Sequence, residues 1–156
     1  LIRLDNLLAY SILGNSSPVI AIPEAFGYKT SLCHQMGISP WQQDSKAPLA
    51  LDRLGDGPVF LQLFIRGNPF VGGKDRSEPW LEVIEQLQSQ NLLAGLVLFG
   101  SPYLWKEFSG VMSSSIPAAY SPGQMPEAQH QALTALFPVL ADRKTFRSSS
   151  QQKFTN

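Results

Sequence analysis

Cysteine is nearly missing from this chain: Cys33 stands alone among 156 residues. A lone thiol rules out an intrachain disulfide and a thiolate cage for a metal, and it is compatible with a reducing compartment. Histidine is almost as scarce, with His34 and His130 only. No HxxxH-type spacing joins them, so a metal site has no sequence basis. Charge is thin, at 15% of residues, and balanced, with 12 Lys plus Arg against 12 Asp plus Glu. The clustered basic face that nucleic acid calls for is therefore not expected. Weak net charge also means weak self-repulsion, which favours association with another surface. No apolar run approaches the roughly 20 residues of a membrane span. No signal-peptide pattern opens the chain, and a cytoplasmic location is the expectation. An initiator Met is missing as well. The chain opens at Leu1 inside an amphipathic pattern, as a piece excised from a longer protein would. No internal repeat is present.

What is present is organised around Pro58–Arg76, PVFLQLFIRGNPFVGGKDR. Its apolar run, Val59 to Ile65, has Gln62 as its one polar member. A run so short and so apolar predicts a strand buried on both faces, as in a parallel sheet covered by helices. It breaks at Arg66-Gly67-Asn68-Pro69, where the loop after a central strand would build a binding crevice.

Along the chain, Leu1 to Leu13 reads as a helix, with Leu1, Leu4, Leu8 and Ile12 near one face. Gly14 to Ser17 ends it. Pro18 to Pro23, PVIAIP, reads as a first buried strand bracketed by prolines, which puts Glu24 at a strand's carboxyl end. A second short strand falls within Tyr28 to Met36, and Pro48 to Leu51 can pair at an edge. Ser77 and Pro79 suit the start of a helix on which Trp80, Val83, Ile84 and Leu87 share a face up to about Asn91. Leu92 to Phe99 is a second clear strand, ending in Gly100-Ser101-Pro102. Tyr103 to Phe108 is a short helix, and Ser109 to Ser115 a loop. Ile116 to Tyr120 is a third strand, ending in Ser121-Pro122-Gly123. Met125 to Phe137 is a helix with Ala128, Ala132, Ala135 and Leu136 inward, stopped or bent by Pro138. The alternation of strand and crossover helix predicts an α/β class, a flavodoxin-like three-layer sandwich with a mostly parallel sheet. It forms one domain over residues 1–145, with 146–156 as a flexible tail.

Candidate chemistry is sparse. Arg66 and Asn68 stand at the mouth of the expected crevice, and the plain alternative is a strand-ending turn whose Arg pairs with a carboxylate. Gly72-Gly73-Lys74 lacks the GxxxxGK[ST] spacing of a phosphate loop. Ser101 and Ser121 each follow a strand and precede a proline. Neither has the G-x-S-x-G elbow of a nucleophile, so a turn or cap role is preferred. Cys33 and His34 are adjacent on an expected strand and would point to opposite faces. Among the acids, only Glu24 falls at an expected strand end, whereas a glycosidase needs two opposed carboxyl groups.

Three stretches carry a resemblance: FLQLFIRGNPF (Phe60 to Phe70), LVLFGSPYLW (Leu96 to Trp105) and IPAAYSPGQMPEAQHQALTALF (Ile116 to Phe137). Together they span most of residues 58–137, and the first 57 residues match only in the order of elements. The chain resembles the C-terminal α/β sandwich of family 3 glycoside hydrolases, in particular the β-N-acetylhexosaminidase (β-N-acetylglucosaminidase) branch. Ser101 stands where an FGNPY pattern would have Asn. The resemblance implies a preceding (β/α)8 barrel as partner in the same polypeptide. That barrel would bind the carbohydrate and hold the nucleophilic Asp and an Asp–His acid/base pair. No KHFPG-type barrel motif occurs here, so no catalytic residue carries over, and no Glu aligns with the acid/base Glu that other branches place on the sandwich. No cofactor is called for. The chain alone is expected to be inactive, with Arg66 or the Phe70–Arg76 loop lent to the interdomain face. Two other readings stand beside this one. The first is a free-standing flavodoxin-like module holding a small anion near Arg66, Ser101 and Ser121. The second is an interaction domain with no link to catalysis.

Overall fold

A computed structural model describes residues 2–4, 13–34, 57–65 and 80–151. Among the described residues, five strands and four helices follow in the order β1 (Ile2–Leu4), α1 (Pro18–Ala25), β2 (Leu32–His34), β3 (Val59–Ile65), α2 (Trp80–Ser89), β4 (Leu93–Gly100), α3 (Pro102–Val111), β5 (Ala118–Ser121) and α4 (Pro126–Gln151). The sheet is five-stranded in the order β2-β1-β3-β4-β5, and every pairing is parallel. This is the flavodoxin-like strand order, with its switch point between β1 and β3. The predicted α/β sandwich with a parallel sheet is what the chain forms.

The sheet separates two cores. From β3 and β4, Leu61, Leu63, Ile65, Leu96 and Leu98 point to one side, where they meet Trp80, Val83, Ile84 and Leu87 of α2 and Leu104 and Phe108 of α3. The alternate residues Phe60, Phe64, Val97 and Phe99 point to the other, against Val19 and Ile20 of α1 and Leu133, Leu136 and Phe137 of α4. Phe64 and Phe99 stack across the two strands, centroids 4.6 Å apart. Burial on both sides is why β3 and β4 read as unbroken apolar runs. The spacing of Trp80, Val83, Ile84 and Leu87 sets the inner face of α2, all four buried as expected. Asn91 ends that helix with a φ of 57°. The amide of Leu92 reaches back to Leu87 O and that of Asn91 to Gln88 O, a Schellman closure.

The first part of the chain departs from expectation. Ile2–Leu4 is a strand, not the start of a helix, and it pairs with β3 on one side and β2 on the other. A leucine spacing compatible with a helix was outweighed by two partners distant in sequence. PVIAIP is a helix, not a strand. Pro18 occupies its first turn, where no N–H is needed. Pro23 lies inside it and so cannot donate to Val19 O, its partner in the ladder. Gln62 of β3 makes good the loss, its Nε2 donating to Val19 O at 2.7 Å. Gly27, φ 78°, then closes the helix, with Gly27 N on Glu24 O and Tyr28 N on Pro23 O.

The short strand expected within 28–36 is β2. The helix after Ser101 runs on to Val111, past the expected start of a loop. On α4 the buried residues are Gln129, Leu133, Leu136 and Phe137, while Ala135 is exposed and Ala128 and Ala132 are half-buried. Pro138 does not stop α4, which continues to Gln151 and takes in the first part of the segment read as a tail. Leu136 and Phe137, buried against the sheet beside Pro138, hold the helix across the missing donor. Pro48–Leu51 and the Ser77–Pro79 cap lie outside the described residues. No described helix is long and apolar enough to cross a membrane.

Candidate functional site

In a parallel sheet all the carboxyl ends lie along one edge, and here those ends are Leu4, His34, Ile65, Gly100 and Ser121. Binding sites of this architecture form outside that edge. Two of the five candidates are brought together on it. Ser121 ends β5 in register with Phe99 of β4, and Ser101 follows Gly100 directly. Arg66 follows Ile65 in the chain, but Arg66 and Asn68 lie outside the described residues, as does Gly72-Gly73-Lys74.

Glu24 is elsewhere. It sits in the last turn of α1, exposed, with its Oε1 accepting from Thr30 Oγ1 at 2.8 Å. The helix runs toward the amino edge, where Tyr28 beside its end meets Phe60 at the start of β3, centroids 6.2 Å apart. The position of Glu24 at a strand's carboxyl end is thus corrected, because the segment before it is a helix running antiparallel to the strands.

The edge after β4 is tightly tied. Gly100 has a φ of +120°, and a Cβ there would fall on the carbonyl oxygen of Ile65 and 3.0 Å from Gln124 Nε2. Only glycine suits both the dihedral and the space. Ser101 N donates to Ile65 O at 2.9 Å, which extends the β3–β4 ladder one step and fixes the chain just before Arg66. Tyr120 OH donates to Gly100 O at 3.1 Å, with its ring stacked on Trp105 at 5.7 Å. Gln124 Nε2 donates to Phe99 O at 3.2 Å.

The two serine hydroxyls serve this backbone. Ser101, 1% exposed, is the N-cap of α3, its Oγ accepting from Leu104 N at 3.4 Å. Ser121 Oγ accepts from Gly123 N at 3.2 Å and closes the turn toward α4. These are the cap and turn roles preferred for Ser. His130 is exposed on α4, paired with Thr134. Among the described residues no group of three or more His, Cys, Asp or Glu gathers as a metal site would require.

The first turn of α1 has little to give an anion. Pro18 has no N–H, Val19 N is directed at Gln129 Oε1 at 3.5 Å, and the amides of Ile20 and Ala21 both reach Ser17 O. Sequence reading missed Tyr120, Gln124 and Gln129, which fix this edge. The available signal was a polar residue at a helix position whose i+4 and i+7 neighbours, Leu133 and Leu136, are apolar.

A family model for the bacterial glycosyl hydrolase family 3 C-terminal domain matches residues 1–138. No curated protein matches the chain. The matched span takes in every strand, the three shorter helices and the first half of α4. The chain belongs to the bacterial glycosyl hydrolase family 3 C-terminal domain family.

Proposed function

We infer that this chain is the non-catalytic sandwich of a family 3 glycoside hydrolase with β-N-acetylhexosaminidase-like specificity, and that it seats a catalytic (β/α)8 barrel of the same polypeptide. The observation that carries the reading is the family match over residues 1–138. The geometry supports it: Ser101 and Ser121, the described candidates at the carboxyl edge, are committed to a cap and a turn. The hexosaminidase branch rests on the LVLFGSPYLW and YSPGQMPEAQHQALTALF stretches. The carboxyl edge is the proposed docking side. Tyr103 at the start of α3 and Met125 just ahead of α4, 68% and 57% exposed, are the most exposed large apolar side chains among the described residues. Arg66 and Asn68 would meet the barrel there, beside a backbone already fixed by Ser101. A cytoplasmic location belongs to the same proposal.

The test compares this chain with a long form carrying whatever its gene encodes before Leu1, both assayed on a chromogenic N-acetyl-β-glucosaminide. The long form hydrolyses it and this chain does not. Hydrolysis by this chain unaided would sink the division of labour. A long form active only on other β-glycosides would sink the hexosaminidase branch and leave the supporting role intact.

A further inference from the structure

Three buried or half-buried glutamines connect places far apart in the sequence. Gln62, 3% exposed at the centre of β3, donates through Nε2 to Val19 O. Val19 N is directed at Gln129 Oε1 on α4, and Gln129 is fully buried. Gln129 Nε2 donates to Gln124 O at 2.8 Å, and Gln124 Nε2 donates to Phe99 O at 3.2 Å. The path leaves the sheet at β3, passes through one peptide unit on each side of Val19, crosses to α4, and returns to the sheet at the end of β4 through the turn at its carboxyl edge.

Each link answers a backbone need. Val19 O has lost its ladder donor to Pro23. Val19 N lies in the first turn of α1, where amides have no partner within the helix, and the N-cap Ser17 makes no side-chain cap. Gln124 O lies just ahead of α4 and outside any ladder. A side-chain amide donates through its nitrogen and accepts through its oxygen, so Gln129 can bridge α1 to the turn where an ionised carboxylate, which only accepts, could not. The arrangement leaves one acceptor over, since Gln62 Oε1 is buried without a hydrogen-bond partner among the described residues. Gln62 is therefore retained for its donor alone.

We propose that Gln62, Gln129 and Gln124 form a positioning relay that couples the seat of α1 to the turn Ser121–Met125 at the carboxyl edge. Loosening α1 at Val19 O then loosens the turn that leads into α4. Because the orphaned carbonyl is created by Pro23, the relay has a built-in rescue: alanine at 23 restores the helix's own donor and removes the need for Gln62.

Amide hydrogen exchange followed by NMR on the chain tests this. In Gln62→Met, exchange at Val19 and at Gly123 rises roughly tenfold, the scale expected for a buried carbonyl left unpaired. The Met112 amide, which closes α3 on the other face of the sheet by bonding Phe108 O, keeps its rate. Adding Pro23→Ala brings Val19 and Gly123 back toward their original rates. A rise at Val19 with Gly123 unchanged would overturn the coupling, and so would an equal rise at all three amides, which reports only global stability. Absence of rescue by Pro23→Ala would overturn the assignment of Val19 O as the link. Should Gln62→Met fail to fold, Gln124→Ala reads the relay from its other end. Val19 then exchanges faster although its amide bonds Gln129 and not residue 124, and an unchanged Val19 rate overturns the proposal.

Discussion

The two faces of the sheet are built from different chemistry. On the α2/α3 side the core is mainly aliphatic, with Trp80 and Phe108 as its largest rings, and the buried polar side chain there, Ser101, caps α3 at the carboxyl edge. On the α1/α4 side the core is smaller and more aromatic, with Phe60 and Phe137 edge-on at 5.0 Å, and it holds Gln62 and Gln129 within it. The first face is fixed by burial, which has no direction. The second is fixed partly by hydrogen bonds, which do. It can therefore seat a helix that its own sequence makes imperfect.

Substitutions can break this contrast, and they rank by size. Trp80→Ala removes the largest fully buried side chain of the aliphatic face and should cost about 3–5 kcal/mol of stability, measured as a lowered urea midpoint. A loss under about 1 kcal/mol would show that this face is loosely packed. Gly100→Ala comes next, at on the order of 2–3 kcal/mol, because it adds a Cβ at a positive φ against Ile65 O. Gln129→Leu leaves the Val19 amide and Gln124 O without their partners, for about 2 kcal/mol. Gln62→Leu strips Val19 O of its donor but also removes the unpartnered Oε1, so a smaller loss of about 1 kcal/mol is expected. If Gln62→Leu proved the more harmful of the two, the view of Gln62 as donor alone would be wrong. At the foot of the scale, Glu24→Gln on the exposed last turn of α1 should stay within about 0.5 kcal/mol. It should also leave hydrolysis by the long form unchanged, and a loss of turnover there would bring Glu24 back as a site residue.

The same contrast explains which parts of the chain could be read in advance. The α2/α3 face was legible because its signals are local: period 3.6 in Trp80, Val83, Ile84 and Leu87, and unbroken apolar runs in β3 and β4. The α1/α4 face was not. PVIAIP has prolines at both ends and apolar residues between, which fits a strand if each proline is taken to break a helix. Pro18 at the first turn and Gly27 just past the last were the helix signals on offer, but Pro23 argued against them. Only a donor 43 residues away in sequence resolves that conflict. The candidate edge was half legible. Ser101 was placed correctly as a cap just beyond a strand and Ser121 at a strand's end, where it is the last residue of β5, whereas Glu24 followed the misread strand to the wrong end of the sheet.

The sequence by itself determined the α/β class, the central strand around Gln62, the three helices that follow strands β3 to β5, and the membership of residues 1–138 in the family 3 C-terminal domains. The structural features among these depend on periodicity, apolar runs and turn residues, which act between near neighbours, whereas the membership rests on the family match. The tertiary structure alone decided that Ile2–Leu4 is a strand between two others, that PVIAIP is a helix, and that Gln62 and Gln129 hold it. Each of these depends on partners remote in sequence. A three-residue strand has no stability without its neighbours, and a helix interrupted by proline needs a donor from outside its own ladder.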